Sequence, residues 1–289
     1  MSSTPTPSMS SRLGALTQRL GLSGRSARLL LERAAALQLP FGPVTLPPAN
    51  IWWLSGPRLQ LLPELPRSAL SGPVQDDKSA AHAALVELIE QDTEQLEAFD
   101  LRLIDGLAGG KDNPPACASF EDYLAGLEQR QVRIISYKDF VKAISQALPR
   151  FALREPIHLL QASWHGNRVF WNGEQQVEAF ANAIAYARRR GLEVTLPAAL
   201  TRYRISPSGL ARLEANYHVL AMPLQSWSHA PFMSLLVDSG IPYARLSLMS
   251  AADAAEFLLL PKSSAEASAL GEGLLLAGAP DICVFLRQL

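Results

Sequence analysis

From residue 156 to the C-terminus, short apolar runs alternate with amphipathic segments, and Gly or Pro stands at most of the junctions between them. Runs typical of strands lie at 157–164, 168–171, 192–196, 218–222, 243–249, 257–260 and 282–286. Segments typical of helices lie at 174–190, 207–217, 231–238 and 265–276. Strands that alternate with helices over short connections predict a mixed α/β sheet with helices packed on it.

The N-terminal half lacks this alternation and is predicted to be helical and Pro-rich. Residues 1–11 are polar and are predicted to be a disordered tip. Residues 12–31 are basic and place Leu13, Leu16 and Leu20 on one helical face, which predicts an amphipathic helix. Residues 1–31 are also rich in Arg and Ser and contain no acid, a composition typical of a cleaved organellar presequence or a membrane-surface anchor.

Prolines are concentrated between residues 40 and 75. Because proline removes a backbone donor and fixes φ, this region is not expected to form a helix. We expect an extended segment over the core, with Trp52 and Trp53 as its anchors and a short strand at 51–54. Residues 12–75 are therefore treated as one segment, a basic helix followed by a Pro-rich extension.

Residues 76–149 are predicted to form an acidic helical region. Apolar residues recur at helical spacing over 76–108, acids fill the remaining positions, and Gly106 or Gly109 ends the pattern. Shorter helices are predicted at 119–130 and 138–148, with a short strand at 132–135 between them. Residues 150–289 form the predicted α/β domain.

Charge is distributed unevenly along the chain, although the net charge is only −1. Residues 1–75 carry +5, residues 76–128 carry −10, residues 129–149 carry +3, residues 150–217 carry +4 and residues 218–289 carry −3. Such asymmetry indicates two modules, or one surface with opposed faces. The small net charge argues against a polycation that binds nucleic acid through its whole surface.

The sequence predicts a soluble cytoplasmic protein. No apolar window is long enough to cross a membrane, and the polar first ten residues do not resemble a secretory signal. Cys117 and Cys283, the two cysteines, are far apart and exclude a disulfide scaffold, which favours free thiols in a reducing compartment.

Most cofactor and metal motifs are absent. The segment 106–112 resembles a phosphate loop, but Asp105 replaces the first Gly and Asp112 replaces the Ser or Thr that binds magnesium. No GxGxxG follows a predicted strand, and no GxSxG is present. The five histidines lack the spacing of metal ligands. We therefore expect neither a cofactor nor a metal.

A strand-to-helix junction at 222–231 contains the best candidates for catalysis. Ligands in α/β sheets usually bind at such junctions. Ser226 or Ser228 with His229 has the composition of a nucleophile and its base, and Asp238 or Asp253 is the candidate orienting acid. The alternative is that Ser228 caps the next helix and His229 packs at its start.

A second candidate site is a segment that interleaves cations with aromatic rings. Arginines contact phosphates and rings stack on exposed bases, so this mixture favours single-stranded RNA. If 202–204 is extended, Arg202 and Arg204 project from one face and Tyr203 from the other. A solvated basic rim and a docking surface for an acidic protein are the alternatives. The candidate residues are Trp164, Arg168, Trp171, Arg188, Arg189, Arg190, Arg202, Tyr203, Arg204 and Arg212.

These patterns support three hypotheses for function. The first is a non-catalytic binding or regulatory protein that recognises an anionic partner, RNA first, through the basic aromatic segment. The second is a metal-independent hydrolase or transferase that uses the Ser/His pair. The third is a structural adaptor that docks through an acidic helix at 76–108. Whether the protein is an enzyme is left open.

Overall fold

The structure is a computed structural model that describes residues 22–46, 48–109, 116–128, 132–173, 176–247 and 255–289. Its α-helices are α1 (Leu22–Ala35), α2 (Gln75–Val86), α3 (Phe120–Ala125), α4 (Tyr137–Ala147), α5 (Val177–Arg190), α6 (Pro207–Asn216), α7 (Ala230–Met233), α8 (Ala265–Leu276) and α9 (Ile282–Leu286). Its strands are β1 (Ile89–Asp100), β2 (Ile104–Leu107), β3 (Ile157–Ala162), β4 (Val169–Trp171), β5 (Thr195–Ile205), β6 (Tyr217–Pro223), β7 (Ala244–Leu246) and β8 (Ala255–Pro261). The predicted mixed α/β fold class is confirmed.

The predicted helix at 76–108 is wrong beyond α2. Residues Ile89–Asp100 instead form β1, which pairs antiparallel with β5 from Ile89↔Ile205 to Asp100↔Thr195. The sequence contains a period of two that is typical of a strand, because Glu90, Asp92 and Glu94 stand at every second position with polar residues between them. The acidic helix of the adaptor hypothesis is therefore an acidic strand that is already paired along one edge.

Other element predictions are corrected in detail. Residues 282–286 form helix α9 and not a strand, because the Asp281 carboxylate caps it by accepting from the backbone N–H of Cys283 at 2.7 Å. Residues 132–135 form no strand. At 51–54 the chain forms a single bridge, Trp52↔Leu107, followed by a 3₁₀ turn, but Trp52 and Trp53 are buried as expected.

The protein comprises two compact units that interleave along the chain. The three-stranded unit comprises the described parts of Met1–Val44, Glu64–Leu88 and Pro207–Gln288. The five-stranded unit comprises Thr45–Pro63 and Ile89–Ser206. The predicted tip at 1–11, the leucines of the predicted basic helix, Asp112 and Asp253 lie outside the described residues.

The five-stranded unit has a mixed sheet in the order β1-β5-β3-β4-β2. The β1–β5 and β3–β4 pairs are antiparallel, and the β5–β3 and β4–β2 pairs are parallel. Alternate residues of the strands pack one face of the sheet against α3, α4 and α5, and this face forms the core. Helix α5 contributes Phe180, Ile184 and several alanines, whose small side chains let the helix lie close to the sheet.

The three-stranded unit has an antiparallel sheet in the order β6-β8-β7. Its core is formed by β6, β8 and helices α1 and α8. Helices α1 and α8 approach closely at Gly273, where a Cβ atom would lie 2.6 Å from both the Ala34 Cβ and the Leu31 carbonyl oxygen. A glycine is therefore required at this crossing.

A similar close approach supports a prediction at Gly209. A Cβ atom there would overlap the backbone carbonyl of Glu87, whereas at Gly126 it would lie 3.6 Å from its nearest neighbours. Gly209→Ala should lower the thermal midpoint and cost about 1–3 kcal/mol despite the entropic gain of replacing glycine. Gly126→Ala, the matched control, should be neutral or slightly stabilising. Equal midpoints for Gly209→Ala and the wild type would contradict the packing.

Candidate functional site

Most cations of the predicted RNA-binding segment form internal ion pairs. Arg202 Nη1 lies 2.5 Å from Glu94 Oε2, and Arg204 Nη2 lies 2.7 Å from Asp92 Oδ1, both across the β1–β5 ladder. Because β5 is extended through 202–204, both arginines lie on one face, as predicted, and that face meets the acids of β1. In the three-stranded unit, Arg212 pairs with Glu87.

Arg168 and Arg188 are engaged by the backbone of the five-stranded unit. Arg168 donates to the carbonyl oxygens of Asn50 at 2.8 Å, Asp105 at 3.0 Å and Ala118 at 2.9 Å. Arg188 donates to those of Arg102 at 2.9 Å and Ile104 at 2.8 Å. These guanidinium groups fix the loops around β2, so their hydrogen bonds are used within the fold.

Two of the three rings predicted to stack on bases are buried. Trp164 is 2% exposed and Trp171 is 7% exposed, and the Trp171 ring stacks on Phe180 with centroids 4.3 Å apart. Tyr203 contacts the rings of Trp53 and Trp164. A base cannot stack on the two tryptophan rings without a rearrangement of the core, which weakens the argument for single-stranded RNA.

His165 belongs to the same ring cluster, although it was not among the predicted site residues. Its imidazole stacks on Trp53 with centroids 4.4 Å apart and lies 5.1 Å from Phe170. Burial, with a smaller contribution from the charge of Arg168, lowers the pKa of His165 to about 4. The ring is therefore neutral at physiological pH.

This burial predicts a component of acid sensitivity. Between pH 6.5 and about 4 the unfolded chain binds a proton at His165 and the folded protein does not, so stability falls as the pH falls. The effect should reach up to about 3 kcal/mol by pH 4. Urea unfolding at several pH values should show this loss of unfolding free energy in the wild type and not in His165→Phe. His158→Phe, at an exposed position on β3, is the matched control and should keep the wild-type profile, and an identical profile for His165→Phe would contradict the account.

Two exposed cations of the five-stranded unit lie at a cleft of about 950 Å³. We define this Arg-lined cleft by three arginines, one acid, one amide, one tyrosine and five apolar side chains. These are Arg133, Arg188, Arg189, Glu121, Asn182, Tyr186, Leu124, Val132, Ile134, Ile135 and Ala185. Arg133 and Arg189 are exposed, and neither has an ion pair among the described residues. Arg133 was missed from the sequence, because it lies outside the aromatic segment.

The segment that carries Arg133 is held at both ends. The Val132 N–H donates to Glu178 Oε1 of α5 at 2.9 Å. At the other end, Ser136 and Asp139 form a capping box at the start of α4, and the Asp139 carboxylate also accepts from the Ile135 N–H. The Ser136 hydroxyl, followed by the Ile135 N–H, lowers the pKa of Asp139 by hydrogen bonding to its charged form. Ile135 is held in this position 69% exposed.

The charge of the third arginine in the cleft, Arg188, is compensated by acidic side chains. Its guanidinium lies 3.4 Å from Glu121 and 3.7 Å from Asp105, so it is largely compensated. Arg133 and Arg189 therefore give the cleft its excess positive charge. The arrangement is suited to an anionic partner that also has apolar groups to place against the isoleucines.

The predicted Ser/His site is not assembled by hydrogen bonds in this structure. Ser226 is fully buried and its hydroxyl has no partner among the described residues, while the Ser228 hydroxyl donates to the Gln225 carbonyl at 3.1 Å. His229, not Ser228, caps α7, because its Nδ1 accepts from the Phe232 N–H at 3.4 Å. Asp238 is exposed, and no described hydrogen bond joins it to His229.

A different Ser/His contact, which sequence reasoning missed, joins β6 to α8. His218 Nε2 lies 3.1 Å from Ser268 Oγ, and the Ser268 hydroxyl donates to Glu272 Oε1 at 3.4 Å. With its proton directed to Glu272, the hydroxyl accepts from the imidazole, the reverse of a nucleophile activated by a base. The contact is thus arranged to hold the helix on the sheet.

No group of three His, Cys, Asp or Glu side chains among the described residues is placed to hold a metal ion. No helix in this part of the chain is long and apolar enough to cross a membrane.

Comparison with protein-family models identifies the family. The chain belongs to the family of unknown function DUF6685, whose model matches residues 93–289. The matched range includes the whole Arg-lined cleft and every predicted site residue, and the family description assigns no activity. Comparisons with curated proteins and with solved structures gave no match.

Proposed function

We propose that this protein is a non-catalytic binding protein that recognises an anionic partner, and that the partner is an acidic amphipathic polypeptide segment seated in the Arg-lined cleft. The observation that carries the proposal is the pair of exposed arginines without ion pairs, Arg133 and Arg189, beside an apolar lining. Both cysteines are free thiols, which supports the expectation of a reducing, cytoplasmic compartment.

The lining favours a polypeptide over RNA. Isoleucines and other apolar side chains form much of the cleft, and Ile135 is 69% exposed at its edge. Exposed apolar surface beside a charged rim is typical of a protein-binding site, and an amphipathic helix buries such a surface with its apolar face. RNA would need exposed rings for its bases, but Trp164 and Trp171 are buried.

The positive charge of the cleft determines the sign of the charge that the partner must carry. Arg133 and Arg189 are placed to meet carboxylates at the edge of the interface, where complementary charges mainly raise the association rate and set specificity. The acidic strand β1 already neutralises Arg202 and Arg204, so those arginines are not part of this interface. The partner therefore brings its own carboxylates.

A direct test measures the binding of labelled probes by fluorescence anisotropy at low salt. The probes are a Leu/Glu amphipathic peptide, a Ser/Glu peptide of equal charge, and a single-stranded oligouridine. We expect the Leu/Glu peptide to bind tightest, and the double variant Arg133→Glu/Arg189→Glu to weaken it at least about tenfold, a change of about 1.4 kcal/mol.

Arg154→Glu is the matched control. Arg154 is an exposed arginine of the same unit, and it does not line the cleft. It should leave peptide affinity within about twofold. The proposal is overturned if no peptide binds, if the double variant binds like the wild type, or if the oligouridine binds tightest and depends on Arg202 and Arg204.

A further inference from the structure

Strand β1 lies at one edge of the five-stranded sheet and is long for an edge strand. It runs for 12 residues, from Ile89 to Asp100, and pairs along one side with β5. On its other side, no strand or bridge of the described chain pairs with it. Because successive peptide groups of an antiparallel strand point in opposite directions, every second residue of β1 presents its N–H and C=O to this open edge.

The other sheet edges are covered by chain segments outside the sheets. Trp52 bridges to β2, Ser71 bridges to β7 and Asp281 bridges to β6. Covering an edge strand in this way is one of the means by which folded proteins avoid pairing with other chains. The β1 edge therefore differs from the other three in its length and in the lack of a cover among the described residues.

The side chains along β1 are polar and mostly exposed. Six exposed residues of this strand are Glu90, Gln91, Thr93, Glu94, Gln95 and Glu97. An apolar open edge would pair with many extended chains, whereas charged side chains select against partners of like charge. The edge is thus suited to a selective partner.

The charge of β1 indicates what that partner carries. Glu90, Asp92 and Glu94 stand at every second position and therefore lie on one face of the sheet. From the paired side, Arg202 meets Glu94 and Arg204 meets Asp92. Glu90 has no ion pair among the described residues, so three carboxylates against two guanidinium groups leave one negative charge in this row.

A second copy of β1 is a poor occupant of the open edge. If two copies paired antiparallel with their core faces on the same side, Glu90, Asp92 and Glu94 of one copy would face the same acids of the other. Like charges directly opposite each other destabilise a strand pair. The row of acids therefore favours a strand of opposite charge.

We propose that the open edge of β1 adds a strand from a partner, and that this strand is an extended basic segment in which Arg or Lys alternates with Thr or Val. Its backbone pairs with the open N–H and C=O groups, and its basic side chains face Glu90, Asp92 and Glu94. The β-branched residues between them favour the extended conformation and lie beside Thr93 on the opposite face. Thr201 of β5 already lies there, with its hydroxyl oxygen 3.1 Å from that of Thr93.

This inference goes beyond the proposed function and does not rest on it. Strand β1 contributes no residue to the Arg-lined cleft. The two surfaces also select partners of opposite charge, so the failure of one proposal leaves the other standing.

Peptide binding to the full chain is measured by fluorescence anisotropy at low salt. The probe is an alternating Thr/Arg peptide of about eight residues, a common length for a strand. The comparison peptide has the same sequence with every backbone nitrogen methylated, which keeps the charge and removes the donors that a strand gives to a sheet edge. We expect the methylated peptide to bind at least about tenfold more weakly.

Glu90→Lys reverses the charge that lacks an ion pair and keeps the acids that meet Arg202 and Arg204. It should weaken binding of the alternating peptide at least about fivefold. Glu128→Lys is the matched control, because Glu128 is an exposed acid of the same unit that lies outside β1. It should leave the affinity within about twofold.

Amide hydrogen exchange locates the bound peptide on the wild-type protein. The β1 amides that face the open edge should exchange at least about tenfold more slowly in the complex, while those that face β5 should keep their rates. The proposal is overturned if the alternating peptide does not bind, if its methylated form binds equally well, if Glu90→Lys binds like the wild type, or if the β1 amides gain no protection.

Discussion

The hydrogen bonds of Arg168 join three segments that are distant in sequence. One guanidinium reaches the carbonyl oxygens of Asn50, of Asp105 in strand β2, and of Ala118 just before α3. A rigid planar donor is suited to this task, because it satisfies several acceptors at once and retains its charge. Each proline of the Pro-rich segment lacks a backbone donor, so side-chain donors such as Arg168 add to the contacts that hold this segment. Arg188 performs the same role at Arg102 and Ile104.

Arginines that are engaged within the fold are not available to bind a partner. The acids of β1 neutralise Arg202 and Arg204, the backbone engages Arg168 and Arg188, and Glu87 pairs with Arg212. Opposite charges that lie far apart in sequence thus meet within each unit. Arg133 and Arg189 have no ion pair among the described residues, and both lie at the Arg-lined cleft. The proposed recognition of an anionic partner is therefore assigned to this cleft and its apolar lining, and not to a broad basic surface.

The sequence predicted the α/β class, most helices after residue 137, and the buried tryptophans of the Pro-rich segment. It failed at β1, where the apolar spacing of 85–107 fits a helix while Glu90, Asp92 and Glu94 follow the period of a strand. Only the pairing with Arg202 and Arg204 on β5, more than a hundred residues away, resolves that ambiguity. Site prediction was limited for the same reason. The residue types at 164–204 suited RNA binding. Whether those residues are available to a ligand depends on their burial and ion pairing, which arise from contacts between distant segments. Arg133 became visible only through the cleft that it lines.

The most direct test of this account measures amide hydrogen exchange in Arg168→Lys, with Arg189→Lys as the matched control. The Ile51 N–H donates to the Cys117 carbonyl and the Leu107 N–H to the Ile51 carbonyl, so both amides report on the junction that Arg168 holds. Lysine keeps the charge but cannot reach three acceptors in a plane. The account predicts that these two amides exchange at least about tenfold faster in Arg168→Lys than in the wild type. The amides of β5 in this variant, and all amides of Arg189→Lys, should exchange at the wild-type rate. Unchanged protection of the Ile51 and Leu107 amides in Arg168→Lys would contradict the account. Arg168 would then be available to bind a partner.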